Sequence, residues 1–177
     1  NGEGLFYGPR ALAVGPDGYL YVTDTGNKRV QVFERDGHFL WEFGGEGRDP
    51  GELHEPVGLA FNSRGEVVLA DSWNLRMQVL LRTGVPVSQW SVPVWSVENS
   101  EDKPYVAVDA ADRIFVSDSS HGRVLIFDAQ GVALGTLGMN RGLQFPAGLA
   151  LTAEGQLFVA DPHAGTVVGF TLADLGL

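Results

Sequence analysis

The stretch YVTDTGNKRVQVF, residues 21–33, indicates the fold, because the chain repeats its pattern three more times. The later copies are VLADSWNLRMQVL at 68–80, FVSDSSHGRVLIF at 115–127 and FVADPHAGTVVGF at 158–170. The fourth residue of every copy is an aspartate, and the four are spaced by 47, 47 and 43 residues: Asp24, Asp71, Asp118 and Asp161. Repeats of about 40–50 residues are typical of propellers or helical arrays.

A second residue type recurs at nearly the same spacing, and the sequence between its copies favours the propeller. Prolines recur at spacings of 47, 48 and 42 residues: Pro9, Pro56, Pro104 and Pro146. In the first copy the short apolar runs ALAV, YLYVTD, RVQVF and HFLWEFG are separated by GPDG, TGNK and ERDG. Short runs rich in Val, Phe, Tyr, Leu and Trp between turn residues predict β-strands. Four strands per repeat predict one blade of a β-propeller.

The pattern within one strand agrees with stacked blades. Val30 and Val32 lie on one face of the predicted strand, and Arg29 and Gln31 lie on the other. We therefore expect an all-β fold, a β-propeller or a portion of one, forming a single domain over residues 1–177. It would contain four blades of four strands, the last of them incomplete, at approximately 9–47, 56–92, 104–138 and 146–177.

Composition removes several classes of function. The chain of 177 residues has no cysteine, which excludes disulfides, a catalytic thiolate and cysteine-bound zinc. Its net charge of −10 disfavours nucleic acid and anionic membrane surfaces as partners. No apolar run approaches the roughly 18–20 residues of a membrane span, so we expect no membrane insertion by this segment.

The repeats resemble NHL repeats. The resemblance is carried by PRALAVGPDGYLYVTDTGNKRVQVFERDGHFLWEFGGEG at 9–47 and by PVGLAFNSRGEVVLADSWNLRMQVL at 56–80, and the third and fourth copies align more weakly. It implies a propeller that usually closes with six blades, in a family of binding platforms, sensor ectodomains and a few metal-dependent lyases or lactonases. Its RNA-binding members present a basic face, which the net charge argues against here.

The number of visible blades leaves the closure of the ring open. The N-terminal stretch NGEGLFYGP is similar to the linker GGEGRDPGELHEP at 44–56, so the chain begins in the middle of the pattern. Three alternatives follow: the chain is part of a longer propeller, four blades close alone, or two chains share a ring.

The residues that recur in every blade are expected to be structural. A carboxylate at the end of the second strand can accept main-chain N–H bonds from the residues that follow it. An arginine follows five positions later in three copies, where it can lie near the aspartate across the hairpin, and the fourth copy has Thr166 instead. These arginines are Arg29, Arg76 and Arg123.

The residues that differ between copies are the binding candidates. The turns after the second strands read TGNK, SWNL, SSHG and PHAG, and they share a face with the linkers between blades. Trp73 either packs on the neighbouring blade or contacts a partner or a sugar ring. The longer linker VPVWSVENSEDKP is either an anchored surface loop or a protruding contact. The expected binding residues are Lys28, His54, Trp73, Trp95, His121 and His163.

These observations predict a non-catalytic binding or scaffold module, which contacts a protein or a glycan through the turn surface. The chain resembles acidic NHL modules that are exported or at the cell surface, and this resemblance implies a location outside the cytoplasm or at the cell surface. No cofactor and no metal are expected. The resemblance to catalytic NHL relatives implies one alternative, a metal-dependent lyase or hydrolase, for which His54, His121 and His163 are residues of a type that binds divalent metals. Another is a structural subunit of a larger assembly, joined through an open blade edge. The chain shows no G-x-S-x-G and no P-loop, so no catalytic residues are assigned.

Overall fold

The computed structural model describes residues 2–96, 103–138 and 141–176. The described residues form β-strands joined by turns and short 3-10 segments, and no helix among them is long and apolar enough to cross a membrane. The chain divides into two compact units, Asn1–Glu98 and Asn99–Leu177, which are described one at a time. The strands assemble into four antiparallel β-propeller blades, two in each unit, as the repeats predict.

The first unit contains two blades of four strands in sequential order. The strands of the first blade are β1 (Leu12–Val14), β2 (Leu20–Asp24), β3 (Arg29–Phe33) and β4 (Phe39–Gly44). The strands of the second blade are β5 (Pro56–Phe61), β6 (Val67–Asp71), β7 (Arg76–Leu80) and β8 (Pro86–Ser91). A register shift between Val32 and Phe33 and another between Val79 and Leu80 mark the same point of the two blades.

The second unit contains one blade of four strands and one of three. The strands of the third blade are β9 (Val106–Val108), β10 (Ile114–Asp118), β11 (Arg123–Phe127) and β12 (Ala133–Leu137). Those of the fourth are β13 (Leu149–Leu151), β14 (Gln156–Asp161) and β15 (Thr166–Thr171). Among the described residues the fourth blade has no outermost strand, in agreement with the incomplete last repeat.

The second and third strands of the first three blades are largely buried on both faces, whereas Phe158 in β14 of the fourth blade is 37% exposed. In the first blade one face packs on the second blade, and Gln31 on the other face is covered by the N-terminal residues Gly4 and Leu5. In β3 the apolar Val30 and Val32 and the polar Gln31 are all fully buried. Burial of one such valine contributes roughly 1.5–3 kcal/mol relative to leaving it exposed. The core of the second unit is centred in the same way on fully buried side chains such as Phe115 and Leu157.

The turn between the second and third strands has one geometry in three blades. A 3-10 turn, such as Thr25–Asn27 or Ser72–Asn74, is followed by a residue with left-handed backbone. This residue is Lys28 or Leu75 at φ 54° in the first two blades and Gly122 at φ 60° in the third. A left-handed residue other than glycine is strained, so the first two blades keep Lys28 and Leu75 at a cost in stability.

Side-chain hydroxyls in these turns connect neighbouring blades of one unit. The hydroxyl of Thr25 donates to the carbonyl oxygen of Pro56 at 2.6 Å, and that of Ser119 donates to the carbonyl oxygen of Pro146 at 2.6 Å. Both bonds are buried. These bonds fix the start of the following blade, and two of the recurring prolines supply the accepting carbonyl oxygens.

Candidate binding surface

The aspartate of the first blade organises the turn and the residues that precede the blade. Asp24 is fully buried and accepts hydrogen bonds from the main-chain N–H of Tyr7 at 2.7 Å, from Asn27 at 2.8 Å, from Arg29 at 2.8 Å and from Gln31 at 3.0 Å. Burial raises the pKa of Asp24, but the bonds from Asn27, Tyr7 and Arg29 outweigh it and hold the pKa below its ordinary value. The carboxylate therefore stays ionised.

The second blade reproduces this network. Asp71 is fully buried and accepts from the main-chain N–H of His54 at 2.6 Å, from Asn74 at 2.8 Å, from Arg76 at 2.8 Å and from Gln78 at 3.1 Å. The sequence led us to expect main-chain donors from the residues after each aspartate. In these two blades the main-chain donor instead lies 17 positions before it, because the linker folds back over the turn.

The third and fourth blades vary the network. Asp118 binds Arg123 at 2.7 Å, and the Nδ1 atom of His121 lies 2.8 Å from it, where the first two blades have asparagine. Asp161 accepts from the main-chain N–H of Gln144 at 2.6 Å and from that of Ala164, which follows it, at 3.0 Å.

Main-chain donors take the place of the arginine in the fourth blade. Burial raises the pKa of Asp161, but N–H bonds from Ala164, Gln144 and Phe145 outweigh it and keep the pKa low. Thr166, which pairs with Asp161 in the strand register, stands at the arginine position. The carboxylate is thus stabilised in all four blades, by equivalent donors in the first two and by a partly different set in the third and fourth.

Three of the predicted binding residues line one cavity in the first unit. Lys28, His54 and Trp73 surround a space of about 410 Å³ at the turn end of the first two blades. We call it the turn cavity, and its lining residues are Tyr7, Gly8, Arg10, Thr25, Gly26, Lys28, His54, Glu55 and Trp73.

The Trp73 side chain packs on the linker that precedes its own blade. Its ring meets the His54 ring edge to face, with centroids 5.1 Å apart and an interplanar angle of 76°. The Trp73 main-chain N–H donates to the His54 carbonyl oxygen at 3.1 Å. The indole Nε1 is buried, and no acceptor among the described residues bonds to it. Trp73 is half-buried, so it both packs against the linker and presents a surface to the cavity.

The cations at the cavity are weakly engaged. Lys28 forms an ion pair with Glu46 at 3.7 Å, and the Glu46 side chain is 68% exposed, so solvent screens this pair. Arg10 is exposed, and its guanidinium makes no ion pair with any part of the chain that the structure describes. Both side chains can therefore engage a ligand without breaking a strong contact.

The other predicted binding residues lie elsewhere. In the second unit the His121 side chain is 48% exposed and borders a cavity of about 480 Å³ that also involves Leu143 and Gln144. The exposed ring of His163 stacks on Phe145 at 4.3 Å. Trp95 is only 5% exposed, so its side chain is buried and does not form an exposed contact.

Residues 97–102 of the linker after the second blade lie outside the described residues. Residues 98–102 of its polar run are among those outside the described residues, and Lys103 is buried. Whether this linker is a contact loop stays a prediction.

Among the described residues, a group of three potential metal ligands lies close together away from the turn cavity. Glu34, Asp36 and His38 bring their ligand atoms within 4.8 Å of one another in the exposed turn between β3 and β4. The His38 ring lies 2.9 Å from Asp36, and this contact raises the pKa of the histidine and lowers that of the aspartate. A metal at His54, His121 and His163 belongs to the alternative function and is not tested by these observations.

Comparison with known proteins identifies the repeats. Residues 6–33 and 53–80 match the family model of the NHL repeat. The chain is an NHL-repeat protein. Protein brain tumor of Drosophila melanogaster is 30% identical over 144 residues, which are 80% of this chain and 13% of that protein. The human E3 ubiquitin-protein ligase NHLRC1 is 27% identical over 159 residues, which are 85% of this chain and 38% of that protein.

Solved structures share the fold of this NHL-repeat chain at low sequence identity. The selenomethionine-substituted virginiamycin B lyase from Staphylococcus aureus aligns with a TM-score of 0.67 and 12% identity, covering 92% of this chain and 55% of that one. The NHL-repeat chain thus spans about half the length of this lyase and a smaller part of the two relatives. At this identity the likeness describes the fold alone.

Some residues of the turn cavity were not predicted from the sequence, although the spacing of the repeats could have indicated one of them. Tyr7, Arg10 and Glu55 line the turn cavity beside the predicted residues. The signal was present, because Tyr7 precedes Asp24 by 17 residues, as His54 precedes Asp71. Applying the 47-residue step to His54 would have placed Tyr7 at the same surface.

Proposed function

We propose that the chain is a non-catalytic binding module that holds a partner protein through the surface formed by its second-to-third-strand turns. The homologues support this proposal, since NHLRC1 is a ubiquitin–protein ligase and an enzyme of that class acts on a protein. The lyase shares the fold at 12% identity, which brings no activity to this chain.

The observation that carries the proposal is the makeup of the turn cavity. It combines two aromatic side chains, Tyr7 at 70% exposure and half-buried Trp73, with Arg10 and Lys28, whose charges are weakly engaged. Tryptophan, tyrosine and arginine are the residue types that dominate protein interfaces. The buried aspartate networks hold the turns that supply Lys28 and Trp73 and also the segment that carries Tyr7, so this part of the surface is formed before a partner arrives.

The test begins with affinity capture by the tagged chain from cells of its source, followed by purification of the captured protein. Binding of that purified partner is then measured by calorimetry for the unmodified chain, for Trp73→Ala and for Tyr7→Ala. We expect each variant to weaken binding by about tenfold or more, which corresponds to roughly 1.4 kcal/mol.

The matched control is Val87→Ala, which removes an exposed apolar side chain from β8, 47% exposed and outside the turn cavity. Thermal unfolding of all variants shows whether the fold survives. Unchanged affinity in both aromatic variants, with the fold intact, would contradict the proposed surface. A glycan array run with the same variants separates a sugar ligand from a protein.

A further inference from the structure

The turn cavity carries local positive charge on an acidic chain. The chain as a whole has a net charge of −10. The charged side chains that line the cavity are Arg10, Lys28 and Glu55, and His54 adds a titratable ring. The lining therefore has an excess of cations where the rest of the surface has an excess of anions, and such a site attracts a negatively charged group.

The polar groups at this site also have unused hydrogen-bonding capacity. Arg10 has no ion pair among the described residues, and the ring nitrogens of His54 and the hydroxyl of Tyr7 make no hydrogen bond to them. The His54 main chain, in contrast, is fixed at both its N–H and its carbonyl oxygen. Several unpaired donors around one concave space are typical of a ligand site.

The size of the cavity limits its occupant. About 410 Å³ holds one or two side chains and does not accommodate a folded surface. Tyr7 and Trp73 offer apolar ring area beside Arg10 and Lys28, so an occupant that carries both a carboxylate and an apolar side chain uses the whole lining. An extended peptide segment has this combination.

We propose that the turn cavity binds a short acidic segment of a partner protein, whose carboxylates accept hydrogen bonds from Arg10 and Lys28 while an apolar side chain packs on Tyr7 and Trp73. The inference rests on the proposed function and specifies the chemistry of the partner. Two weakly engaged cations neutralise one or two carboxylates. A nucleic-acid strand would place many phosphates against a chain whose net charge is −10, which is unfavourable.

The test uses defined probes, so it does not require the natural partner. The probe is a fluorescein-labelled peptide of sequence Gly-Glu-Asp-Phe-Glu-Asp-Gly, and its neutral counterpart has Gln and Asn at the acidic positions. A labelled single-stranded RNA of similar length tests the other class of polyanion. Binding is followed by fluorescence anisotropy at low salt, and the Trp73 indole N–H resonance, assigned with Trp73→Phe, locates the peptide by NMR.

Charge-neutral variants test the residues. Arg10→Gln and Lys28→Gln each remove one cation from the cavity, and Arg35→Gln removes one exposed cation from the turn between β3 and β4, at the other end of β3. All three change the net charge equally. We expect the acidic peptide to bind, the neutral one to bind at least tenfold more weakly, and Arg10→Gln and Lys28→Gln to weaken binding about tenfold while Arg35→Gln does not.

Three results would overturn the inference. They are RNA binding that exceeds peptide binding, equal loss of binding in Arg35→Gln and Arg10→Gln, and a Trp73 resonance that the acidic peptide leaves unmoved. None of these alters the calorimetric result for the captured partner with Trp73→Ala. The experiments can therefore refute the proposed chemistry of the ligand and still support the proposed surface. The opposite outcome can be recognised in the same way.

Discussion

Tyr7 and His54 occupy the same position of successive repeats, since each donates its main-chain N–H to the buried aspartate 17 residues later, at 2.7 Å and 2.6 Å. Their carbonyl oxygens correspond as well: that of Tyr7 accepts from Gly26 at 2.8 Å, and that of His54 accepts from Trp73 at 3.1 Å. The side chains differ, and together they line the turn cavity. A repeated main-chain frame thus presents a non-repeated set of side chains.

Gly26 makes room for the Tyr7 ring. A Cβ atom at Gly26 would overlap both the ring and the carbonyl oxygen of Tyr7. We expect Gly26→Ala to destabilise the fold by about 1–3 kcal/mol and to weaken binding at the turn cavity, as measured by urea denaturation and peptide anisotropy. Gly148→Ala is the control, because its Cβ would meet only Ala160 at an ordinary 3.8 Å. Equal effects of the two substitutions would refute this explanation.

Removal of Asp71 leaves a buried cation. Arg76 is 8% exposed, and Asp71 at 2.8 Å is the carboxylate that compensates its charge, so Asp71→Ala should destabilise by about 3–5 kcal/mol. Asp36→Ala breaks an exposed contact with His38 and should leave the melting temperature nearly unchanged. Thermal unfolding of both variants tests this expectation. A stable Asp71→Ala protein would show that the network is dispensable.

Lys28 combines backbone strain with a predicted binding role. Its φ of 54° suits glycine, so Lys28→Gly should raise the free energy of unfolding by up to about 1 kcal/mol. The same substitution should weaken binding of the acidic peptide about tenfold, because the ammonium is lost. We therefore expect the free energy of unfolding to rise and the affinity for the peptide to fall in the same variant. Loss of stability together with loss of binding would instead mean that Lys28 is mainly a structural residue.

Tyr21 makes the stability sensitive to alkali. Burial and then the bond to Asp17, whose carboxylate accepts from the hydroxyl at 2.9 Å, raise the pKa of Tyr21 above its ordinary value. The contribution of the neutral phenol is complete below the unfolded pKa of about 10 and is lost as the pH rises above it. The difference in unfolding free energy between the unmodified chain and Tyr21→Phe should therefore shrink between pH 9 and pH 11. A constant difference would contradict this assignment.

The repeats made the blades predictable from sequence because backbone structure recurs with them. The 47-residue step placed the strands, and the alternation in β3 was consistent with burial of both faces. The main-chain donor to Asp24 was misassigned to following residues, because a linker that folds back from 17 residues upstream leaves no local pattern.

The candidate site was less predictable because exposure depends on packing that is not periodic. Trp73 and Trp95 both stand near turns in the sequence, yet Trp73 borders a cavity and Trp95 is buried. Arg10 was overlooked because it follows an N-terminal stretch that was interpreted only as a linker. The expected cellular location stays a prediction, and a metal at the three histidines stays an untested alternative.

Hydrogen–deuterium exchange on the complex with the captured partner tests whether the turn cavity is the binding site. We expect slower exchange in the turns at 25–28 and 72–75 and in the linker at 53–55, where the main chain frames the turn cavity. The turns at 34–38 and 62–66, at the other end of the same strands, should be unchanged. Protection confined to those opposite turns, with none at the turn cavity, would show that the partner binds elsewhere.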